Sequence, residues 1–152
     1  MFERCHSSKD AALLLQDQYG LPVQLLGGRP VVTTGSVLGA LVMPPALGHD
    51  VLAAMNCSYP VPVIADPGER TWTFLVTPPS PMTPVDQHVR HELAEHHVTV
   101  VPGGRHILLP TTDSDRGWHW AAEPMPGVLT MPARRTVIEA VHRVVSMSVT
   151  PS

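Results

Sequence analysis

"PVPVIADPGERTWTFLV", Pro60 to Val76, decides the fold. Two runs rich in valine, isoleucine, threonine and aromatics flank Asp66-Pro67-Gly68-Glu69. Proline presets φ for a turn and glycine accepts positive φ, so local chemistry asks for a β-hairpin. In the second run Trp72, Phe74 and Val76 alternate with Thr71, Thr73 and Leu75, which buries at least one face of the strand. With an antiparallel pair in mid-chain, β-structure becomes the frame on which helices must pack.

Toward the N-terminus, "LGALVMPP" (38–45) is an apolar strand stopped by Pro44-Pro45. "ALGHDVLAAM" (46–55) follows as a helix burying Leu47, Val51, Leu52 and Met55. Further back, Ser7 or Ser8 caps a first helix with Asp10 in its first turn, Ala11, Leu14, Leu15 and Tyr19 as its apolar set, and Gly20 as its stop. "LPVQLL" is a short strand, and "GGRP" turns it into "VVTTG".

Toward the C-terminus, "TPPSPM" (77–82) is a rigid connector. Thr83 as cap and Pro84 as first helical residue then start a helix with Asp86 in its first turn and Val85, Val89 and Leu93 buried. "VTVV", "PGG" and "RHILLP" predict a second hairpin, "TTDSDRG" a polar loop and "WHWAA" a strand. "EPMPGVLTMPA" crosses the domain, and "RRTVIEAVHRVV" closes it as an amphipathic helix with Val137, Ile138, Val141, Val144 and Val145 inward. Residues 146–152 read as a flexible tail. The expectation is a single α+β domain over residues 1–152, with a mixed or mostly antiparallel sheet, β-hairpins and about four helices.

Composition narrows the function. The 152 residues, 43% hydrophobic and 15% charged, suffice for one core. A net charge of −3 is no footprint for nucleic-acid binding, which asks for a basic patch. The nine histidines turn that balance positive in mild acid. No apolar run approaches the roughly 20 residues of a membrane span, and "MFERCHSSKD" has no signal-peptide core. Cys5 and Cys57 form no metal-type pair, and a cytoplasmic chain keeps them as free thiols. One lysine against nine arginines, with much Ala, Gly and Pro, fits a GC-rich bacterial genome.

"HVRHELAEHH", His88 to His97, holds four of the nine histidines. A zinc helix of the H-E-x-x-H type needs its second histidine where this chain has Glu95. Three readings stand. His91 and Glu95, at i and i+4, hold a metal with His106, His119 or Asp113 as a distant third ligand; or the stretch is a solvated face with weak i, i+4 pairs; or it is a pH-responsive surface. The solvated face is the expectation, with no cofactor.

Elsewhere the patterns are incomplete. "LGGRP" and "VPGGRH" match no phosphate loop and serve as turns. Ser36 in "TGSVLG" misses the G-x-S-x-G elbow by one residue. Cys57 follows a helix, whereas activated thiols favour helix N-termini. Trp118 and Trp120 share a strand face, with Arg116 beside them; two such aromatics more often cap a core, and otherwise they form the candidate ligand- or partner-binding surface.

Two patches resemble bifunctional primase–polymerase domains of the archaeo-eukaryotic primase superfamily: "RPVVTTGSVLGALVMPPALGHDVLAAM" and "GGRHILLPTTDSDRGWHW". Thr34-Gly35, Gly39 and the strand Ala40 to Met43 match the family's front, and His106 matches its core histidine in "GGRH". The resemblance implies metal carboxylates at 44–46, where this chain reads Pro-Pro-Ala. Without those oxygen ligands two-metal phosphoryl transfer has no coordination shell, so the resemblance implies a shortened relative without polymerase chemistry. The expected function is non-catalytic binding or regulation through a partner protein or small ligand. One alternative is a small-substrate enzyme using His91, Glu95, His106 and His119 in acid–base or metal chemistry. A second is a nucleic-acid-binding module.

Overall fold

The computed structural model describes residues 1–57, 59–78 and 84–148. Thr83, most of the 77–82 connector and residues 149–152 lie outside them. The chain forms an α+β domain with four helices and two antiparallel sheets among the described residues.

The first helix, α1 (Ser8–Tyr19), is closed at both ends by its own sequence. Ser7 Oγ accepts the Asp10 N–H at 3.1 Å, while Asp10 Oδ2 accepts the His6 N–H. Gly20 ends the helix at φ 69°, a left-handed conformation that suits glycine. Then come β1 (Gln24–Leu26), β2 (Arg29–Thr33), β3 (Gly39–Met43) and α2 (Pro45–Met55), where Pro44 leads in and Pro45 is the first helical residue. The hairpin around Asp66 is present as β4 (Val63–Ala65) and β5 (Trp72–Val76), with Val63 opposite Phe74 and Ala65 opposite Trp72. The Asp66 carboxylate accepts the Arg70 and Thr71 N–H groups, which locks the turn.

The remaining elements are α3 (Gln87–Glu95), β6 (Thr99–Val100), β7 (His106–Leu108), β8 (His119–Ala122) and α4 (Arg134–Ser148). Three features of this half differ from the sequence expectation. Helix α3 starts after Asp86, not at Pro84: Asp86 has ψ 140°, and its carboxylate accepts the His88 N–H at 2.9 Å, so it is the cap. Helix α4 runs to Ser148, three residues into the stretch expected as a tail. The second hairpin does not form. β6 pairs with β3, whereas β7 pairs with β2 in the other sheet. Thr34 is the reason. Its buried hydroxyl donates to Pro102 O at 2.7 Å and accepts the Arg105 N–H at 3.0 Å, and its carbonyl accepts the Gly104 N–H. These bonds fasten the 102–105 turn to the end of β2 and carry β7 away from β6.

The five-stranded sheet, in order β6-β3-β5-β4-β8, is the middle layer. The alternation read from "RTWTFLV" sorts its two faces. Leu41, Met43, Val63, Phe74 and Val76 pack against Val51 of α2, Leu93 of α3 and Val137, Ala140 and Val141 of α4. Ala40, Ile64 and Leu75 pack on the opposite face against Ala11 and Leu15 of α1, and against Val32 and Ile107 of the three-stranded sheet β1-β2-β7. Each large side chain fully buried in this way contributes about 1.5–3 kcal/mol. Cys5 packs with the second cluster and Cys57 with the first, so the two thiols are free and lie on opposite sides of the sheet. No helix among the described residues is long and apolar enough to cross a membrane.

Candidate functional site

The face that carries Ala40 and Leu75 changes character along the strands. Beyond Leu75 its next residues are Thr73 and Thr71, and the neighbouring strands supply Val42 and Thr99. Here the two sheets part, and a cleft of about 390 Å³ opens between them. Val42, Thr71, Thr73, Thr99 and Val101 form one wall, and the 105–108 segment with Trp118 forms the other. The failed second hairpin creates this space, because β6 and β7 border it while belonging to different sheets.

Two of the sequence candidates meet here, His106 and Trp118. His106 is oriented by its strand neighbour. Its Nδ1 lies 3.1 Å from Thr33 Oγ1, and that hydroxyl donates to Gln24 Oε1 at 3.1 Å. A hydroxyl has one proton, so Thr33 accepts from His106 Nδ1–H, which leaves Nε2 of the neutral ring as an acceptor. Arg105 supplies a cation at the same rim, and no acidic side chain lines the cleft among the described residues. Trp118 is half-buried and gives an aromatic wall.

The other candidates are placed elsewhere. Trp120, opposite Ile64, is half-buried against the core between the sheets, and its indole Nε1 is buried without a hydrogen-bond partner among the described residues. Arg116 is exposed on the 111–117 loop, its N–H donated to Ser114 Oγ. Neither lines the cleft. His119 bridges two segments: Nδ1 is 3.0 Å from Gly117 O and Nε2 is 3.2 Å from Glu69 Oε1, which ties the β4–β5 turn to β8. Asp113 accepts the Phe2 N–H at 2.9 Å and so anchors the start of the chain.

The histidine helix lies on the far side of the molecule's middle layer. His91 and Glu95 form an exposed pair at 3.8 Å. Glu92 stands between His88 at 3.1 Å and His142 of α4 at 3.7 Å. His106 and His119 join neither group, and no three His, Cys, Asp or Glu side chains converge as a metal site among the described residues. A larger cavity of about 490 Å³ opens between α3 and α4, but Pro78 and Pro84 on its rim flank residues 79–83, so its outline is incomplete among the described residues.

The Cys5 thiol gives no sign of activation. Burial, with the Asp10 and Asp113 carboxylates, pushes the Cys5 thiol above its ordinary pKa. Arg105, Thr33 and the three threonines of the cleft were not singled out by sequence reasoning. Thr71 and Thr73 were visible in the alternation of "RTWTFLV" as polar residues on a strand with both faces covered, which is a mark of a site as well as of a strand.

Neither the models of known protein families, nor curated proteins, nor solved structures give a match to the chain.

Proposed function

We propose that the chain is a non-catalytic binding domain whose ligand seats in the cleft between the two sheets. One observation carries this reading: Trp118, His106 and Arg105 converge on a cleft of about 390 Å³ whose opposite wall is rich in threonine. Binding sites of this kind combine an apolar or aromatic surface with a few placed polar groups, in volumes of roughly 300–1,000 Å³. The setting inferred from composition and from two free cysteines is the bacterial cytoplasm, and the role is regulatory. If the primase-like patches reflect ancestry, the metal-carboxylate positions have become the β3–α2 junction Pro44-Pro45-Ala46, a proline-led helix start.

A fragment library screened by following the Trp118 indole resonance tests the proposal. Fragments that move this resonance, and that no longer bind a folded Trp118→Ala variant, support it. Absence of any such fragment sinks it.

A second reading has its own observation. His106 is held by Thr33 with Nε2 left as an acceptor, which is how a general base is presented. An enzyme would transform its bound compound. Mass spectrometry of a captured ligand after incubation distinguishes the readings: an altered mass lost in His106→Gln favours catalysis, and an unchanged mass favours binding.

A further inference from the structure

We infer that the cleft takes an extended, acidic peptide segment, bound as a strand added to β7. This inference rests on the binding reading above and names the ligand class. The register of β7 carries the argument. The Thr34 N–H donates to Arg105 O, and the Leu109 N–H donates to Pro30 O. In this antiparallel ladder Val32 opposes Ile107, so Arg105, Ile107 and Leu109 turn their main-chain groups toward β2. His106 and Leu108, which alternate with them, turn theirs outward. Among the described residues no strand lies beyond β7 in the order β1-β2-β7. Two N–H donors and two C=O acceptors, two residues apart, therefore stand along an edge whose residues line the cleft.

A partner that satisfies this row must repeat its own donors and acceptors at about 6.6–6.8 Å, the two-residue rise of a β-strand. A peptide does so and a compact metabolite does not. Strand addition is a general recognition mode in which main-chain bonds give affinity and flanking pockets give selectivity. The side chains here select by charge and shape. Arg105 and His106 are the ionisable side chains of the cleft, no acidic residue lines it among the described residues, and Arg105 forms no ion pair among them. An acidic side chain is the complement. Trp118 offers an apolar surface to a neighbouring residue of the same peptide.

A synthetic library of acetylated six-residue peptide amides, one half with a fixed central Glu and the other with a fixed central Lys, tests the inference. Peptides from the Glu half should shift the Trp118 indole and slow hydrogen exchange at the His106 and Leu108 amides. Arg105→Gln should weaken the best binder roughly tenfold, the scale of one charge-assisted hydrogen bond. N-methylation of the selected peptide at alternate residues is the decisive step. One phase, which blocks the groups facing β7, should abolish binding, and the other should leave it intact. Indifference to methylation phase overturns strand addition. So does occupation of the edge by a second copy of the chain, read as a dimer whose dissociation constant no peptide changes. If small non-peptide fragments move the Trp118 indole while no peptide protects His106 and Leu108, strand addition fails and the binding reading stands. If neither kind of ligand moves Trp118, both fail together.

Discussion

Gly48 and Trp72 are in contact so close that a β-carbon on Gly48 would lie 2.6 Å from the indole Cε3. Gly48 is on α2 and Trp72 on β5, so the absence of one side chain lets the helix settle onto the sheet. Two effects compete in Gly48→Ala. Alanine favours a helix interior by about 1 kcal/mol. Overpacking a half-buried ring costs about 1–3 kcal/mol, and the ring has little room to yield: the same β-carbon would lie 3.4 Å from Phe74 Cε1, and His49 meets the indole edge-on. The packing term should win. Urea unfolding should show Gly48→Ala less stable than the native chain. In the Trp72→Leu background the same change should become neutral or stabilising, and equal losses in both backgrounds would refute the contact.

Asp86 should be the residue on which α3 depends. The helix has nine residues, below the roughly 12–15 at which isolated helices hold together, and Leu93 is its one fully buried side chain. Asp86→Ala removes the acceptor of the His88 N–H and should cost about 0.5–2 kcal/mol. Hydrogen exchange at the His88, Val89 and Arg90 amides should accelerate first. Unchanged exchange there would return the cap to another residue.

Much of this architecture is legible in the chain because short-range chemistry decides it. Ser7 and Gly20 bound α1, and Asp66-Pro67-Gly68 sets the central hairpin. The second hairpin is absent for a reason sequence spacing does not contain. "VTVV", "PGG" and "RHILLP" satisfy every local rule, but the hydroxyl of Thr34, some seventy positions away in sequence, claims the turn. The cleft is a product of that distant bond, so its members could not be assembled from the sequence. His106 and Trp118 were named for separate reasons, and only the splitting of β6 from β7 puts them on one wall. Trp120 illustrates the converse: it packs against the same core cluster as Trp118, yet it does not line the cleft.

The pair His91 and Glu95 should prove nearly dispensable. Both side chains are mostly exposed and lie 3.8 Å apart, so their interaction belongs with surface i, i+4 pairs worth about 0.2–0.5 kcal/mol. The double substitution His91→Ala, Glu95→Gln should move the urea midpoint by no more than that, and stoichiometric zinc should not raise stability in either protein. A zinc-dependent rise present in the native chain and absent from the variant would revive the metal reading.

Alkaline pH should weaken the fold in two steps whose order follows from the groups involved. Burial, with Asp10 and Asp113, holds the Cys5 thiol above its ordinary value, and burial, with Glu123, Asp113 and Glu3, does the same for the Tyr19 phenol. Each group keeps its proton longer in the folded chain than in the unfolded one. Its contribution is therefore complete below the unfolded pKa and is lost as pH rises through the folded value. For Cys5 the loss begins near the ordinary thiol range of about 8.5, and for Tyr19 near about 10. Urea midpoints between pH 7 and 11 should fall in that sequence. Cys5→Ala should lessen the first decline and Tyr19→Phe the second, which Tyr59 shares because burial and Cys57 raise its phenol as well, with phenolate absorbance marking the tyrosine step. A midpoint that stays level through both windows would show that neither group's proton is linked to folding.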